Sequence, residues 1–249
     1  MTANEIYLGD AYELIKQVPD NSVDCVYTDI PYLYVSGGAG KSKLSKRIQK
    51  TKESMLENNI YNGVNYTILD DIIRVSKKVN VFIWVSKLQV YPVLKYFVEK
   101  GYSYNILTWN KTNPTPATNN SWLPDIEYCL VFREAGLGLN NGYHLKSKWF
   151  TSPINKTDKD NYLHPTIKPL ELVKRHIEHA TQLGDVILDP FLGSGTTAVA
   201  SKELGRQYIG FEIDEEFYDI AKNRLNGIKA DGQTSIFTDF NLLRGELDE

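Results

Sequence analysis

Apolar and polar positions alternate along this chain in two rhythms, and the rhythm switches repeatedly. Short apolar blocks with the two-residue or unbroken pattern of strands are Ile6-Tyr7-Leu8, Val23-Asp24-Cys25-Val26-Tyr27-Thr28, Val81-Phe82-Ile83-Trp84-Val85 and Val186-Ile187-Leu188. Residues 104–109, 128–132 and 208–211 extend the set. Between them lie segments with helical spacing. Residues 11–17 form the first. Residues 66–75 carry Ile68, Leu69, Ile72 and Ile73, and 89–100 stop at Gly101. Residues 169–182 carry Leu170, Leu172, Val173 and Ile177, and helices are also predicted over about 196–204 and 215–225. Strands that alternate with helices predict an α/β fold, with a mostly parallel sheet and helices on both faces. Ligands bind such sheets at the carboxyl ends of the strands.

Two segments break the pattern. Residues 36–52 are glycine-rich and then densely basic, and residues 136–163 are polar and irregular. Both exceed an ordinary connection, and long loops are usually functional or disordered. From about residue 226 the chain runs to an acidic end and is expected to be peripheral.

Composition narrows the class. A length of 249 residues suits one domain, 1–249, with a real core. The longest apolar runs are too short to span a bilayer, and no signal peptide is visible at Met1-Thr2-Ala3-Asn4-Glu5. No membrane partner is expected. Cys25 and Cys129 sit in apolar strands and read as buried thiols of a reduced compartment; no metal site is expected. A cytoplasmic setting follows by elimination. The net charge of −3 argues, as an average, against a nucleic-acid binder. Yet Lys41, Lys43, Lys46, Arg47, Lys50 and Lys52 put six positive charges and no acid into residues 41–52, leaving −9 on the rest of the chain. The molecule is polarised rather than uniformly acidic.

Three motifs carry candidate chemistry. The first is Asp189-Pro190-Phe191-Leu192-Gly193-Ser194-Gly195-Thr196-Thr197, after a short strand and opening a helix. Gly193 and Gly195 let backbone approach a ligand, and a helix N-terminus presents free N–H groups. A second strand then ends in Gly210-Phe211-Glu212, where a carboxylate can accept from ribose hydroxyls. Together they describe a nucleoside-binding βαβ unit, although a glycine turn followed by a surface glutamate has the same letters. The second motif is Asp29-Ile30-Pro31-Tyr32 at a strand end. It offers an acidic acceptor, a turn fixed by Pro31 and an aromatic face, a set that suits a planar amine. An ordinary strand-to-loop turn would read the same. The third is His164-Pro165-Thr166-Ile167-Lys168-Pro169, in which Pro169 suits a first helical turn, Thr166 a cap, and Lys168 can reach a carboxylate.

In this order the three motifs resemble the DNA amino-methyltransferases that use S-adenosylmethionine, in the permuted arrangement of the β-type N6-adenine/N4-cytosine family. The tetrapeptide 29–32 is similar to the family's Asp-Pro-Pro-Tyr, with Ile30 at the second place. Residues 189–197 resemble the cofactor loop, and 164–169 the segment before it. The resemblance spans most of residues 5–225, with agreement also at Gly9-Asp10, Trp109-Asn110-Lys111 and Glu127-Tyr128-Cys129-Leu130-Val131-Phe132. It implies a Rossmann-like S-adenosylmethionine-dependent methyltransferase fold. It further implies cofactor contacts from Asp10, His164, Thr166, Lys168, Asp189, Phe191, Gly193, Ser194, Gly195, Thr196, Thr197 and Glu212. Glu212 would hold the ribose, Asp10 would lie near the adenine, and Thr166 and Lys168 would hold the methionine end. Asp29, the Ile30 carbonyl and Tyr32 would hold a flipped-out base whose amino nitrogen takes the methyl group. Asp at position 29 resembles the N6-adenine members; N4-cytosine is the alternative, and an RNA or protein-amide substrate a more distant one.

The basic loop, about 36–60, leaves the catalytic motif and is expected to contact DNA phosphates through Lys41, Lys43, Lys46, Arg47, Lys50 and Lys52. Target recognition is expected within about 111–163, with Lys111, Asn119, Asn120 and Trp122 as candidate DNA contacts. A homodimer and a cognate restriction endonuclease are the expected protein partners. Two readings compete. Ser36-Gly37-Gly38-Ala39-Gly40-Lys41-Ser42 resembles a phosphate-binding loop, but Val35 stands where its first glycine belongs. A non-catalytic nucleoside- or DNA-binding module is the other.

Overall fold

The computed structural model describes residues 1–33, 63–116, 122–140, 142–154 and 167–228. The basic loop 41–52, the glycine-rich stretch 36–42, Asn119, Asn120, His164 and Thr166 therefore lie outside the described residues.

Eight strands make one sheet: β1 (Glu5–Leu8), β2 (Cys25–Asp29), β3 (Asn80–Val85), β4 (Ser103–Lys111), β5 (Ile126–Arg133), β6 (Trp149–Ser152), β7 (Val186–Asp189) and β8 (Gln207–Glu212). Their spatial order is β1-β8-β7-β2-β3-β5-β4-β6. Neighbours from β1 to β3 are parallel, β5 is antiparallel to both β3 and β4, and β6 is parallel to β4. Only β5 thus runs against the rest. Among the described residues the α-helices are α1 (Ala11–Leu14), α2 (Ile68–Val75), α3 (Val90–Glu99), α4 (Leu170–Ala180), α5 (Thr196–Glu203) and α6 (Glu215–Leu225).

The two rhythms build two cores. One face of the sheet offers Val26, Val81, Ile83, Leu130 and Phe132 to Ala11 of α1, to Ile68, Leu69, Ile72 and Val75 of α2, and to Val93 and Phe97 of α3. The other offers Cys25, Tyr27, Phe82, Trp84 and Cys129 to Leu172, Val173 and Ile177 of α4 and Ala200 of α5. β3 sits between β2 and β5 and is buried along its whole length, so it reads as an unbroken apolar run.

The sheet order explains the permuted motifs. β2 pairs with β7 in parallel, Val26 opposite Leu188, and β1 pairs with β8, Leu8 opposite Glu212. The strand ends that carry Asp29, Asp189, Glu212 and Asp10 therefore open on one edge, although they are distant in sequence. Gly195 fixes the loop after β7. It has φ +80, and a Cβ there would stand 2.9 Å from the Cβ of Ala221 on α6. Only glycine accepts both the left-handed backbone and that approach.

Two expectations needed correction. Pro169 is the residue before α4, with extended backbone (φ −58, ψ 127), and its carbonyl accepts from the Val173 amide at 3.3 Å; it precedes the first turn rather than forming it. The helix predicted over 11–17 is a single α turn followed by a 3-10 turn, Ile15–Gln17. The polar segment 136–163 also holds an unpredicted strand, β6, at the edge of the sheet. Among the described residues no helix is long and apolar enough to cross a membrane.

Candidate active site

A cavity of about 480 Å3 lies at the strand ends, within the roughly 300–1,000 Å3 usual for ligand pockets. It has two ends. One is lined by Gly9, Asp10, Phe191, Gly193, Glu212 and Phe217, the other by Asp29, Pro31, Tyr32, Lys111, Glu127 and Lys168.

At the first end Glu212 is pinned by backbone. Its Oε2 accepts from the Gly193 amide at 2.7 Å, and its Oε1 from the amides of Ile213 and Asp214 at 2.9 Å. A carboxylate has about four lone-pair sites, so three such bonds orient it and leave room for another donor. Burial raises the Glu212 carboxyl above its ordinary value, against the pull of those amides. The neighbours are equally fixed. Asp10 caps α1 through the Tyr12 amide, 2.8 Å from Oδ1, and Tyr12 packs edge-on against Phe191. These residues fit a nucleoside: an acidic acceptor for hydroxyls, a flat apolar wall and a glycine that admits close approach.

Not every residue of the glycine loop faces this space with its polar group. Ser194 Oγ and Thr196 Oγ1 accept from the buried Arg224 guanidinium at 2.9 and 3.0 Å, so both hydroxyls tie the loop to α6. Asp189 is buried under the loop and accepts from the Phe191 amide at 3.1 Å. Burial raises its carboxyl to about 7. A carboxyl with its folded pKa above its unfolded one is favoured in the protonated form. The folded state should lose stability as pH rises from about 4 to 7, by about 1.4 kcal/mol per unit for this group. Asp189→Asn should remove that part of the slope. The difference in urea midpoint between pH 5 and pH 7, compared with the wild type, measures it.

At the second end two lysines, two carboxylates and a tyrosine form one cluster. Lys168 pairs with Asp29 Oδ2 and, at 3.1 Å, with Glu127 Oε2. Lys111 pairs with Glu127 Oε1 at 2.6 Å. The Tyr32 hydroxyl lies 3.4 Å from both Glu127 Oε2 and Lys168 Nζ. Burial opposes charge on Lys168, but Asp29 and Glu127 outweigh it and push its pKa up. Burial also acts to raise Glu127, yet the two lysines hold it at about 2. Asp29 behaves differently. Burial raises its pKa, Lys168 opposes this, and Glu127 adds to the rise. Its other oxygen, Oδ1, is buried with no partner among the described residues.

The turn after Asp29 is held by burial and hydrogen bonds in place of the missing proline. Ile30 is 1% exposed and anchors in the first core. Buried Gln89 donates to the Pro31 carbonyl at 2.9 Å and accepts from the Ser86 amide at 3.1 Å. Gly63 donates to the Tyr32 carbonyl at 3.2 Å. Beneath the cavity Trp84 Nε1 donates to the Tyr27 hydroxyl at 3.0 Å, which lies 3.1 Å from His176 Nδ1. Burial holds His176 at about 3, so its neutral ring can accept that proton.

The sequence motifs 29–32 and 189–197 thus meet in one cavity, joined by Lys168, Asp10 and Glu212. Lys111, a candidate DNA contact, lines the cavity, with its ammonium paired to Glu127 and above the Trp109 ring at 5.1 Å. Trp122 is 97% exposed. Glu127, Gln89, Trp84 and His176 were not singled out by the motifs. For Glu127 the available signal was an acid within the apolar run 126–132.

The α/β fold thus carries one cavity that joins a pinned acidic and aromatic end to a second end of acidic, basic and aromatic side chains. The chain belongs to the DNA methylase family of N6 and N4 amino-methyltransferases, whose profile matches residues 23–223. It is 32% identical to the Type II methyltransferase M2.MboI of Moraxella bovis over 246 residues, 90% of this chain and 88% of that one. It is 31% identical to the Type II methyltransferase M2.LlaDCHI of Lactococcus lactis subsp. cremoris over 239 residues, 88% and 87% of the two chains. The solved structure of the M1.HpyAVI–SAM complex matches with a TM-score of 0.65 and 27% identity, covering 89% of this chain and 99% of that one. The cytosine-N4-specific PvuII DNA methyltransferase shares the fold, with a TM-score of 0.64, 15% identity, and 91% and 94% of the chains covered.

Proposed function

We propose that this DNA methyltransferase moves a methyl group from S-adenosylmethionine to the N6 amino group of an adenine within a defined DNA sequence. The observation that carries the reading is the pairing of the pinned Glu212 with the unpartnered Asp29 Oδ1 at opposite ends of one cavity. Bound at the Glu212 end, S-adenosylmethionine supplies an electrophilic methyl group. Glu212 accepts from its ribose, and Phe191 and Tyr12 wall its base. Asp29 and the Ile30 carbonyl would accept hydrogen bonds from the two N–H groups of the target amine, which draws its lone pair out of the ring plane; as the N–CH3 bond forms the S–CH3 bond breaks, the neutral thioether leaves, and the nitrogen sheds one proton to Asp29 or solvent. Tyr32 provides the face on which the ring lies. The site contributes orientation and a fixed negative charge beside the nitrogen as it becomes positive. A duplex hides the amine, so the base turns out of the stack to reach it.

Adenine is preferred because the first motif residue is Asp29. The Type II methyltransferases that the chain resembles support the site-specific reading. The proposal includes a cytoplasmic setting, a homodimer and a restriction endonuclease that shares the target sequence. DNA contact by the basic loop 41–52 and by Asn119, Asn120 and Trp122 belongs to the same proposal. Transfer of label from methyl-labelled S-adenosylmethionine to duplex DNA tests it. Label found in protein or RNA alone contradicts it.

A further inference from the structure

The buried ionic cluster is larger than the amine-holding reaction needs. Holding an amine requires Asp29 and an aromatic face. Lys168 and Asp29 could neutralise each other alone. Instead β5 brings Glu127, and β4 brings Lys111, into the same wall; Glu127 stands opposite Trp109 across the antiparallel pair. The side chains of Lys168, Lys111 and Glu127 are 8%, 15% and 20% exposed. Stability does not explain such a group. Buried ion pairs are often matched or bettered by apolar side chains of the same volume, because desolvation offsets their attraction.

Its geometry suggests a task. Lys168 pairs with Asp29 Oδ2, and Oδ1 is the oxygen left open for an amine. Held by Asp29 alone, the Lys168 ammonium could swing between the two oxygens and occupy the open one. Glu127 supplies a second carboxylate at 3.1 Å, so Lys168 stays seated on Oδ2 and Oδ1 stays open. The same Oε2 atom also lies within reach of the Tyr32 hydroxyl. One oxygen therefore contacts both the lysine that holds Asp29 and the ring on which the base would lie. Lys111 fixes the other oxygen.

We propose that Glu127 is the positioning residue of the amine corner: clamped by Lys111, it seats Lys168 and the Tyr32 hydroxyl so that Asp29 and the Tyr32 ring are aimed before substrate arrives. This rests on the reading of Asp29 and Tyr32 as the holders of the target base. Glu127 does not touch the reacting atoms; it acts through Lys168 and Tyr32. The groups that face Asp29 are Lys168 ahead of α4, Glu127 on β5, Tyr32 in its own turn and Asp189 on β7, with Lys111 on β4 behind Glu127. Tyr27 and Cys129, also near, are held neutral by burial.

The test compares full-length wild type with Glu127→Gln in methyl transfer from labelled S-adenosylmethionine to DNA. The variant should lose roughly 10- to 100-fold in kcat, with KM for S-adenosylmethionine nearly unchanged and a lowered melting temperature, because Lys111 and Lys168 lose a buried counter-charge. Its acid limb should move to lower pH, because Glu127 helps raise the Asp29 pKa and the variant no longer does. Tyr32→Phe should cost less in the Glu127→Gln background than in wild type, since both remove the same contact. An unchanged kcat and acid limb overturn the proposal. So does a loss of kcat with an unmoved limb and additive effects, which marks a merely structural role. If Glu127→Gln does not fold, Glu127→Asp is measured; it should recover the wild-type limb with reduced kcat, and wild-type kinetics in it would equally refute the idea. A wild-type protein that methylates no DNA refutes the underlying reading instead.

Discussion

Replacing Asp29 with alanine is expected to slow methyl transfer by at least two orders of magnitude while leaving S-adenosylmethionine binding nearly intact. The carboxylate is the one charged acceptor of the amine corner whose second oxygen lacks a partner among the described residues. Without it the amine keeps its flat, delocalised form, and no negative charge stands beside the nitrogen as it becomes positive. Loss of an oriented charged group of this kind costs roughly 10²- to 10⁴-fold. The fold should tolerate the change, because Lys168 keeps Glu127 as its counter-charge at 3.1 Å. Asp29→Asn should retain more rate than Asp29→Ala, since an amide oxygen still accepts. Single-turnover rates on saturating DNA, together with calorimetric titration of the cofactor, check both halves. Weak cofactor binding in Asp29→Ala would place Asp29 at the cofactor and not at the amine.

The second large effect is expected at the other end of the cavity. Glu212→Ala should weaken S-adenosylmethionine binding by roughly 100-fold or more. A hydrogen bond to a charged acceptor is worth about 1.5–3 kcal/mol, and each 1.4 kcal/mol is about a factor of ten. The variant also strands the amides of Gly193, Ile213 and Asp214, so the loops after β7 and β8 lose their common anchor. Calorimetric titration is the measurement. An affinity within threefold of wild type would move the ribose site elsewhere. The two variants make opposite signatures, one catalytic and one in binding, and that contrast distinguishes the two ends of the cavity.

Much of this site was legible in the sequence, for local reasons. Asp29, Asp189 and Glu212 each close a short apolar strand, and strand ends of a parallel sheet are where ligands bind. Gly195 announced a turn that no other residue fits. What stayed hidden depends on register. Nothing in residues 126–133 states that β5 runs antiparallel, yet that direction sets Glu127 opposite Trp109 and within reach of both lysines. The pairing of Lys111 with Glu127 stayed hidden because the two stand sixteen residues apart on neighbouring strands. β6 escaped because Trp149-Phe150-Thr151-Ser152 is short, sits on the sheet edge and is surrounded by polar residues. His176 lies on the inward face of α4, and only the packing of Tyr27, Phe82 and Trp84 against it reveals its place. The average charge misled most. It concealed the basic run 41–52 until position was considered along with number.

The central claim is that the Asp29 corner holds an adenine amine. Its most direct test is to incubate the protein with methyl-labelled S-adenosylmethionine and DNA of defined sequence, digest the DNA to nucleosides, and identify the labelled species by mass spectrometry. Wild type should yield N6-methyladenine, and Asp29→Ala about a hundredth of it or less under the same conditions. Label in N4-methylcytosine, or in protein with no methylated nucleoside, would contradict it.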